Sequence, residues 1–417
     1  MKQRRSWLAV LMLAGSYTSY NIGSAFASGN EALQFFGSFG GYWPYIMIGV
    51  CILLTAVTAY MMYAASYTKG FTKANQGYYY FCGKYIGFVY DWFISLTLIC
   101  FILAMLAGSG ATVHQLYDNV PVWVGTLVVG VLSAIAACFD LRKVIDALGF
   151  LGVVIIVSIV CVGVYALLTV GQSPIEASKN MLQYVQEGKI LQAGVFGIRH
   201  PILGGVYYAG TLLICSIPWV ITSGSALRSR KEVMTTSILS ALFFWGCAAC
   251  AVTTLLLNTD AVAGMQVPML AAVQNMLPVL AIPYAVIIVM SIFTSITGML
   301  WVLGDRFSKQ GTKKFYAIVI GTTAFGVIGG SVLPFAQIVN VVYSFFGLTG
   351  LILGVFVIIK SIQIKRSGHN LVEDPAQTQE EPVIETAPPL CRVIHQQPNL
   401  LFIKRRNDYG TRKDQQC

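Results

Sequence analysis

The residues best placed to do chemistry lie in one stretch near the N-terminus, Tyr20-Asn21-Ile22-Gly23-Ser24-Ala25-Phe26-Ala27-Ser28-Gly29-Asn30-Glu31. Gly, Ser and Asn are poor helix formers, yet here they interrupt an apolar run. An unwound backbone at that depth frees carbonyls that can bind a cation, and the amide end of a half-helix can hold a carboxylate. Ser28-x-x-Glu31 has the spacing of a capping box, in which the hydroxyl accepts from the amide of Glu31 and the glutamate returns to the amide of Ser28. A cap is needed only where a helix begins. The spacing therefore predicts one half-helix ending near Asn21 and another starting near Ser28. Glu31 reads either as that cap or as an acid that carries a proton, since intramembrane acids are functional suspects. A later stretch has similar punctuation. Tyr207-Tyr208-Ala209-Gly210-Thr211 is followed by Cys215-Ser216-Ile217-Pro218, where glycine can unwind the chain and proline withdraws an amide. A plain proline kink is the alternative there.

A membrane-spanning framework must position these residues. The chain has 417 residues, 56% hydrophobic and 11% charged, and a mean hydropathy of +0.70. A soluble domain carries about 25% charged residues, so this chain cannot solvate a globule of its size. Its apolar blocks reach the roughly 20 residues that cross about 30 Å of hydrocarbon, and unpaired backbone is not tolerated there, so each block is read as a helix. The predicted spans are 6–36, 41–66, 87–115, 121–138, 144–170, 202–227, 231–257, 279–304, 315–333 and 337–362.

Charge placement supports that division. The net charge is +10, but the basic residues cluster in alternate loops, such as Lys69, Lys73 and Lys84, then Arg142 and Lys143, then Arg228, Arg230 and Lys231. The opposite loops carry Lys179, Lys189 and Arg199. This asymmetry predicts an inner-membrane protein with both termini cytoplasmic. No basic patch interleaves with aromatics outside the spans, so nucleic acid is not an expected partner. The ten cysteines form no paired framework, and Cys247 and Cys250 read as small packing residues in mid-span. Met1–Arg5 followed by Trp7–Ala14 and Ala25-Phe26-Ala27 could be read as a cleaved signal, but the interruption argues that the segment stays. Ile175–Glu187 is expected to lie on the surface, and Val267–Leu277 to form a short re-entrant or interfacial helix. The composition changes at Ser367, so 1–366 is read as the membrane domain and 367–417 as a disordered cytoplasmic tail.

Ten spans divide into two sets of five, 6–170 and 202–362. An odd-numbered repeat inserts in opposite orientations, and here the first span of each set is the interrupted one. Interrupted spans at corresponding positions of two inverted halves mark a solute site of the transporter kind. The pattern resembles the five-plus-five inverted-repeat transporters of the LeuT type, in the amino acid–polyamine–organocation superfamily. Within that group, Gly23 to Glu31 followed by Leu33-Gln34-Phe35-Phe36-Gly37 resembles the bacterial YkvI-type membrane proteins.

The resemblance implies an all-α fold and a secondary active transporter of a small amino-acid-like solute, coupled to Na+ by alternating access. It implies a cation site made of the carbonyls of Ser19 and Ile22 with Ser291, Thr294 and Ser295 of the eighth span. The plain alternative is that Thr294 and Ser295 bond back to their own helix. The fifth span, from Ala147 to Val170, has no Lys or Arg to replace such an ion. A proton carried by Glu31 is the alternative coupling. The implied solute pocket is small, neutral and aromatic, lined by Gly23, Ser24, Ala25, Phe26, Phe101, Tyr207, Tyr208, Gly210, Thr211 and Phe293. A zwitterion with its carboxylate on half-helix amides would suit it. No HExxH, P-loop or GxSxG is present, which argues against an enzyme, and there is no repeated filter motif of a channel. A non-transporting solute sensor on the same fold is the remaining alternative. No cofactor is expected. Gly350-x-x-x-Gly354 is a candidate packing surface within the chain or between subunits of a homo-oligomer. Asp91 is expected to open the third span, and His114 has no evident partner.

Overall fold

The computed structural model describes residues 2–22, 24–71, 73, 75–138, 141–194, 198–368 and 370–372. Contacts divide the chain into 1–381 and 382–417, and all described residues belong to the first unit. Most of the expected tail, 373–417, lies outside them. The described residues form helices joined by turns. Among the described residues seven helices are long and apolar enough to cross a membrane, so this is a multi-pass membrane protein.

The first predicted span is divided into α1 (Lys2–Asn21), α2 (Ser24–Ser28) and α3 (Asn30–Phe35). Then follow α4 (Trp43–Lys69), α5 (Gln76–Leu116), α6 (Val122–Ala137) and α7 (Leu141–Thr169). The loop after α7 holds α8 (Pro174–Ala177) and α9 (Met181–Gln186), bent 91° from the end of α7. The second half holds α10 (Pro201–Ser223), α11 (Arg230–Leu257), α12 (Thr259–Val262), α13 (Pro268–Met276), α14 (Ala281–Phe307), α15 (Lys313–Val332) and α16 (Phe335–Arg366). The expected short helix at 267–277 is α13, with Pro268 to Val273 buried against the body of the protein.

Local chemistry explains several of these boundaries. Gly70 ends α4 in the left-handed conformation (φ 61°), a C-terminal position that suits glycine. Ser229 caps α11 by accepting from the amide of Glu232 at 3.3 Å, while Glu232 accepts from the amide of Arg228 at 2.8 Å. Thr312 caps α15 in the same way, on Phe315.

The third span departs from expectation. It begins at Gln76 rather than 87, and its first leg turns at Gly83 (φ 74°). That leg is more polar than the span proper, so hydropathy alone misses it. Asp91 therefore does not open a helix. It lies inside α5, where it forms a 2.9 Å ion pair with Arg306 of α14. Both side chains are mostly buried, at 15% and 22% exposure.

Two groups of helices pack separately. α1, α4, α10 and α11 form one bundle, and α5, α6, α14 and α15 form a second layer. α7 bridges α11 and α14, and α16 lies along α10 and α5. Helices five spans apart pair with each other, α4 with α11, α5 with α14 and α6 with α15. This is the pairing expected of two halves related by an inverted repeat.

The sixth span corrects the sequence reading. α10 is one continuous helix from Pro201 to Ser223, with Pro218 inside it. Gly210 does not unwind it. A methyl group on Gly210 would collide with the carbonyl of Gly347 on α16, and one on Gly350 would collide with the carbonyl of Gly210. The glycines thus let two backbones touch, the usual role of small residues between membrane helices. Gly350 packs within the chain, and Gly354 meets only Leu213, at 3.4 Å from a built methyl. Cys250 likewise lies against Gly163, where α7 meets α11.

Candidate functional site

The interruption in the first segment is double. α1 ends with the amide of Ile22 on the carbonyl of Thr18 (2.8 Å) and the side-chain amide of Asn21 on the carbonyl of Tyr17 (2.8 Å). Gly23 lies outside the described residues, as do the side chains of Ser24 and Ala25. α2 is only five residues long, too short to build the dipole expected to hold a carboxylate. The second interruption is Gly29, in the left-handed conformation (φ 83°). A methyl there would stand 2.9 Å from the backbone nitrogen of Met269 on α13. Backbone angle and space both demand glycine.

The capping box does not form. Gly29, not Ser28, is the cap position of α3, and no side chain caps it. The Ser28 hydroxyl accepts from the amide of Asn30 at 3.3 Å. Glu31 points elsewhere. It is buried at 4% exposure and accepts a hydrogen bond from the Tyr208 hydroxyl of α10. The phenol of Tyr343 on α16 faces the same carboxylate. One acid after the break thus ties the broken first span to the first span of the second half and faces the last.

Aromatic packing fixes this arrangement. The Tyr208 ring meets Phe35 at 5.5 Å, Phe36 at 5.6 Å and Trp245 at 5.9 Å between centroids. Phe26 and Phe244 close the other sides at 6.5 and 6.4 Å. Such pairs contribute about 0.5–1.5 kcal/mol each beyond area burial, so Tyr208 is not free to turn away from Glu31. Trp245 is itself held by its indole N–H on Thr55 (2.9 Å).

A network of neutral amides clamps α3. Asn30 donates to the carbonyl of Gln266 and accepts from Gln34 at 3.1 Å. Gln34 also donates to the carbonyl of Ala336 at 2.8 Å and accepts from Asn340 at 3.0 Å. Gln266 returns to the amide of Ala336 at 3.1 Å. Asn340 reaches the carbonyl of Gln192 at 3.3 Å, and the amide of Ala193 donates to the carbonyl of Gln34 at 3.0 Å. In the sequence Asn30 reads only as a helix-breaking residue and Gln34 only as part of the family resemblance, and Gln192, Gln266 and Asn340 carry no signal of their own. The signal for the clamp was present as Asn30-x-x-x-Gln34, one helical turn apart in an apolar run.

The predicted site residues divide among several surroundings. Phe26 and Tyr208 come together with Glu31. Thr211 donates to the carbonyl of Tyr343 at 2.8 Å, and the carbonyl of Tyr207 lies in the glycine seam against Gly347. Gly210, Thr211 and the Tyr207 backbone therefore join α10 to α16. Phe101 lies edge-on to Tyr343 at 4.8 Å, and Phe293 is half-buried on α14. Ser291 and Thr294 are buried and Ser295 half-buried on α14; Ser19 is half-buried on α1, and Ile22, just past its end, is buried. The Thr294 hydroxyl donates to the carbonyls of Met290 and Ser291, both at 3.0 Å. α14 meets the broken segment through α2, and the Tyr284 hydroxyl donates to the carbonyl of Ala27 at 3.0 Å. His114 has a partner after all, the carbonyl of Val120 at 2.9 Å. Among the described residues no group of three or more His, Cys, Asp or Glu gathers as a metal site.

No family model matches the chain, and no curated protein matches it. Solved structures do. An inward-facing conformation of Mhp1 aligns with a TM-score of 0.57 at 12% identity, over 85% of this chain and 77% of that one. A closed conformation of Mhp1, described as a nucleobase-cation-symport-1 family transporter with bromovinylhydantoin bound, aligns with a TM-score of 0.52 at 14% identity, over 86% and 79%. At such identities the likeness concerns the fold. The chain has the LeuT-type architecture of Mhp1, and the first membrane segment of this chain is broken just before a buried acid.

Proposed function

We propose that the chain is a secondary active transporter of the YkvI type. It moves a small amino-acid-like solute by alternating access and uses Glu31 to carry a coupling proton. One observation supports this above the others. A buried carboxyl follows directly on a doubly interrupted helix, and its partners among the described residues are the phenols of Tyr208 and Tyr343. A carboxylate at that depth is costly without a counter-charge. A proton supplies one, and its loss changes what Tyr208 and Tyr343 hold. Those residues lie on α10 and α16, so the proton is linked to how the broken segment sits against the second half.

Sodium between the first and eighth spans is the second reading, favoured by the packing of α2 against α14. Its ligands would be the carbonyls of Ser19, Ile22 and Ser291 with the hydroxyls of Thr294 and Ser295. Thr294 spends its proton on its own helix, but its lone pairs remain able to meet a cation. The protein sits in the inner membrane with both termini cytoplasmic.

Thermal melting of the purified protein separates the two couplings, because a ligand that binds the folded state raises the melting temperature by mass action. Proton coupling predicts equal melting in sodium and potassium, and a pH dependence of melting that Glu31→Gln removes. A sodium-specific rise lost in Thr294→Ala would instead establish the cation site. Binding without solute flux in liposomes would make the protein a sensor.

A further inference from the structure

The chain does not leave the membrane domain where α16 ends. Gly368, in the left-handed conformation (φ 80°), turns it aside. Three residues later it meets a different helix, where the Thr68 hydroxyl near the end of α4 donates to the carbonyl of Leu371 at 3.2 Å. Leu371 and Val372 are half-buried and pack against the core. The segment after α16 thus crosses to α4, and this bond and two apolar side chains hold it there.

The place it reaches is basic. The phenol of Tyr67, beside Thr68, donates to the carbonyl of Arg228 at 3.3 Å. The same connection touches α4 again at Gly224, where a methyl would stand 2.7 Å from Ser66 Oγ. The end of α4 and the connection from α10 to α11 therefore form one corner, which carries Lys69, Arg228, Arg230 and Lys231. The last three are exposed and Lys69 is half-buried. Among the described residues none of the four is in an ion pair. The acid at this corner, Glu232, has its carboxylate on the amide of Arg228. The chain that follows Val372 brings the opposite sign. Glu373, Asp374, Glu380 and Glu381 lie between positions 373 and 381, with no Lys or Arg among them. An extended chain advances at most about 3.6 Å per residue, so Glu373 stays within about 7 Å of Leu371.

We infer that residues 373–381 dock on this corner and act as a brake on transport. The tether gives these acids an effective concentration in the millimolar range at the four cations. α4 packs in one bundle with α1, α10 and α11, and α16 also lies against α5 of the other layer. A chain that joins the ends of α4 and α16 resists the parting of bundle and layer at this end, which alternating access requires. The contact stands by itself, whereas the brake rests on the transporter reading.

A water-soluble carbodiimide, which joins a carboxylate to a neighbouring lysine amine as an amide, tests the contact on the full-length protein in detergent. Mass spectrometry of the digested product should find Glu373 or Asp374 joined to Lys69 or Lys231 at about 0.01 M salt. About threefold less should form at about 1 M, where the Debye length falls from about 30 to about 3 Å. Tail acids joined equally to Lys309, Lys313 and Lys314, or no product with Lys69 and Lys231, overturns the contact. Loss of the product in phosphatidylglycerol liposomes, with retention in phosphatidylcholine, gives the corner to lipid phosphate and also overturns it. The brake is read as uptake of labelled amino acids into liposomes. A variant carrying Glu373→Gln, Asp374→Asn, Glu380→Gln and Glu381→Gln should work about two- to fivefold faster than the parent, the range set by an exposed ion pair. Equal rates overturn the brake even where the contact forms. No uptake by either protein overturns the transporter reading and the brake with it, while the cross-link still decides the contact.

Discussion

At the scale of single residues, identity mattered less than direction. Glu31 and Ser28 have the spacing of a cap, yet it is Ser229 and Glu232, with the same spacing, that cap a helix. The difference lies across the molecule. Tyr208 supplies a hydroxyl to Glu31, and no local spacing can reveal a partner 177 positions away. The amide clamp makes a sharper prediction. Gln34→Leu strips partners from Asn30, Asn340 and the carbonyl of Ala336. Each buried group left unpaired costs about 1–3 kcal/mol, so the variant should melt well below the parent. Gln34→Glu keeps an acceptor for Asn340 and should lose less. Equal melting of parent and Gln34→Leu would show that the clamp contributes nothing.

At the scale of elements, the same residue type carried two meanings. The run of Gly, Ser and Asn near residue 23 predicted a broken helix, and the helix is broken. Gly210 and Pro218 predicted another break, and α10 runs through both. A glycine either frees a backbone or admits a neighbour, and only the distant Gly347 and Gly350 decide which. Gly210→Ala and Gly350→Ala should each destabilise by about 1–3 kcal/mol through overpacking, read as lower melting temperatures. Gly246 has nothing within 4 Å of a built methyl, so Gly246→Ala should be neutral or gain up to about 1 kcal/mol of helix propensity. Similar losses at all three positions would refute the seam. Asp91 was misread because hydropathy placed the start of the third span too late. Its pairing with Arg306 ties α5 to α14, and because both side chains keep some exposure, Asp91→Asn should cost only about 1 kcal/mol.

At the scale of the whole molecule, the alternation of apolar blocks and basic loops was enough to predict an all-helical membrane protein in two inverted halves. The pairing of α4 with α11, α5 with α14 and α6 with α15 and the likeness to Mhp1 agree with that. Side-chain partners could not be read the same way, because the site joins residues from α3, α10 and α16 that are adjacent only after the halves pack. The account makes Glu31 the link between the broken segment and those helices. Its most direct test is uptake of a labelled amino-acid mixture into liposomes holding the parent or Glu31→Gln, with either a proton or a sodium gradient imposed. The account predicts accumulation driven by the proton gradient in the parent. In Glu31→Gln accumulation should be lost, while exchange without a gradient persists. Accumulation in Glu31→Gln equal to the parent, or driven by sodium alone, would contradict it.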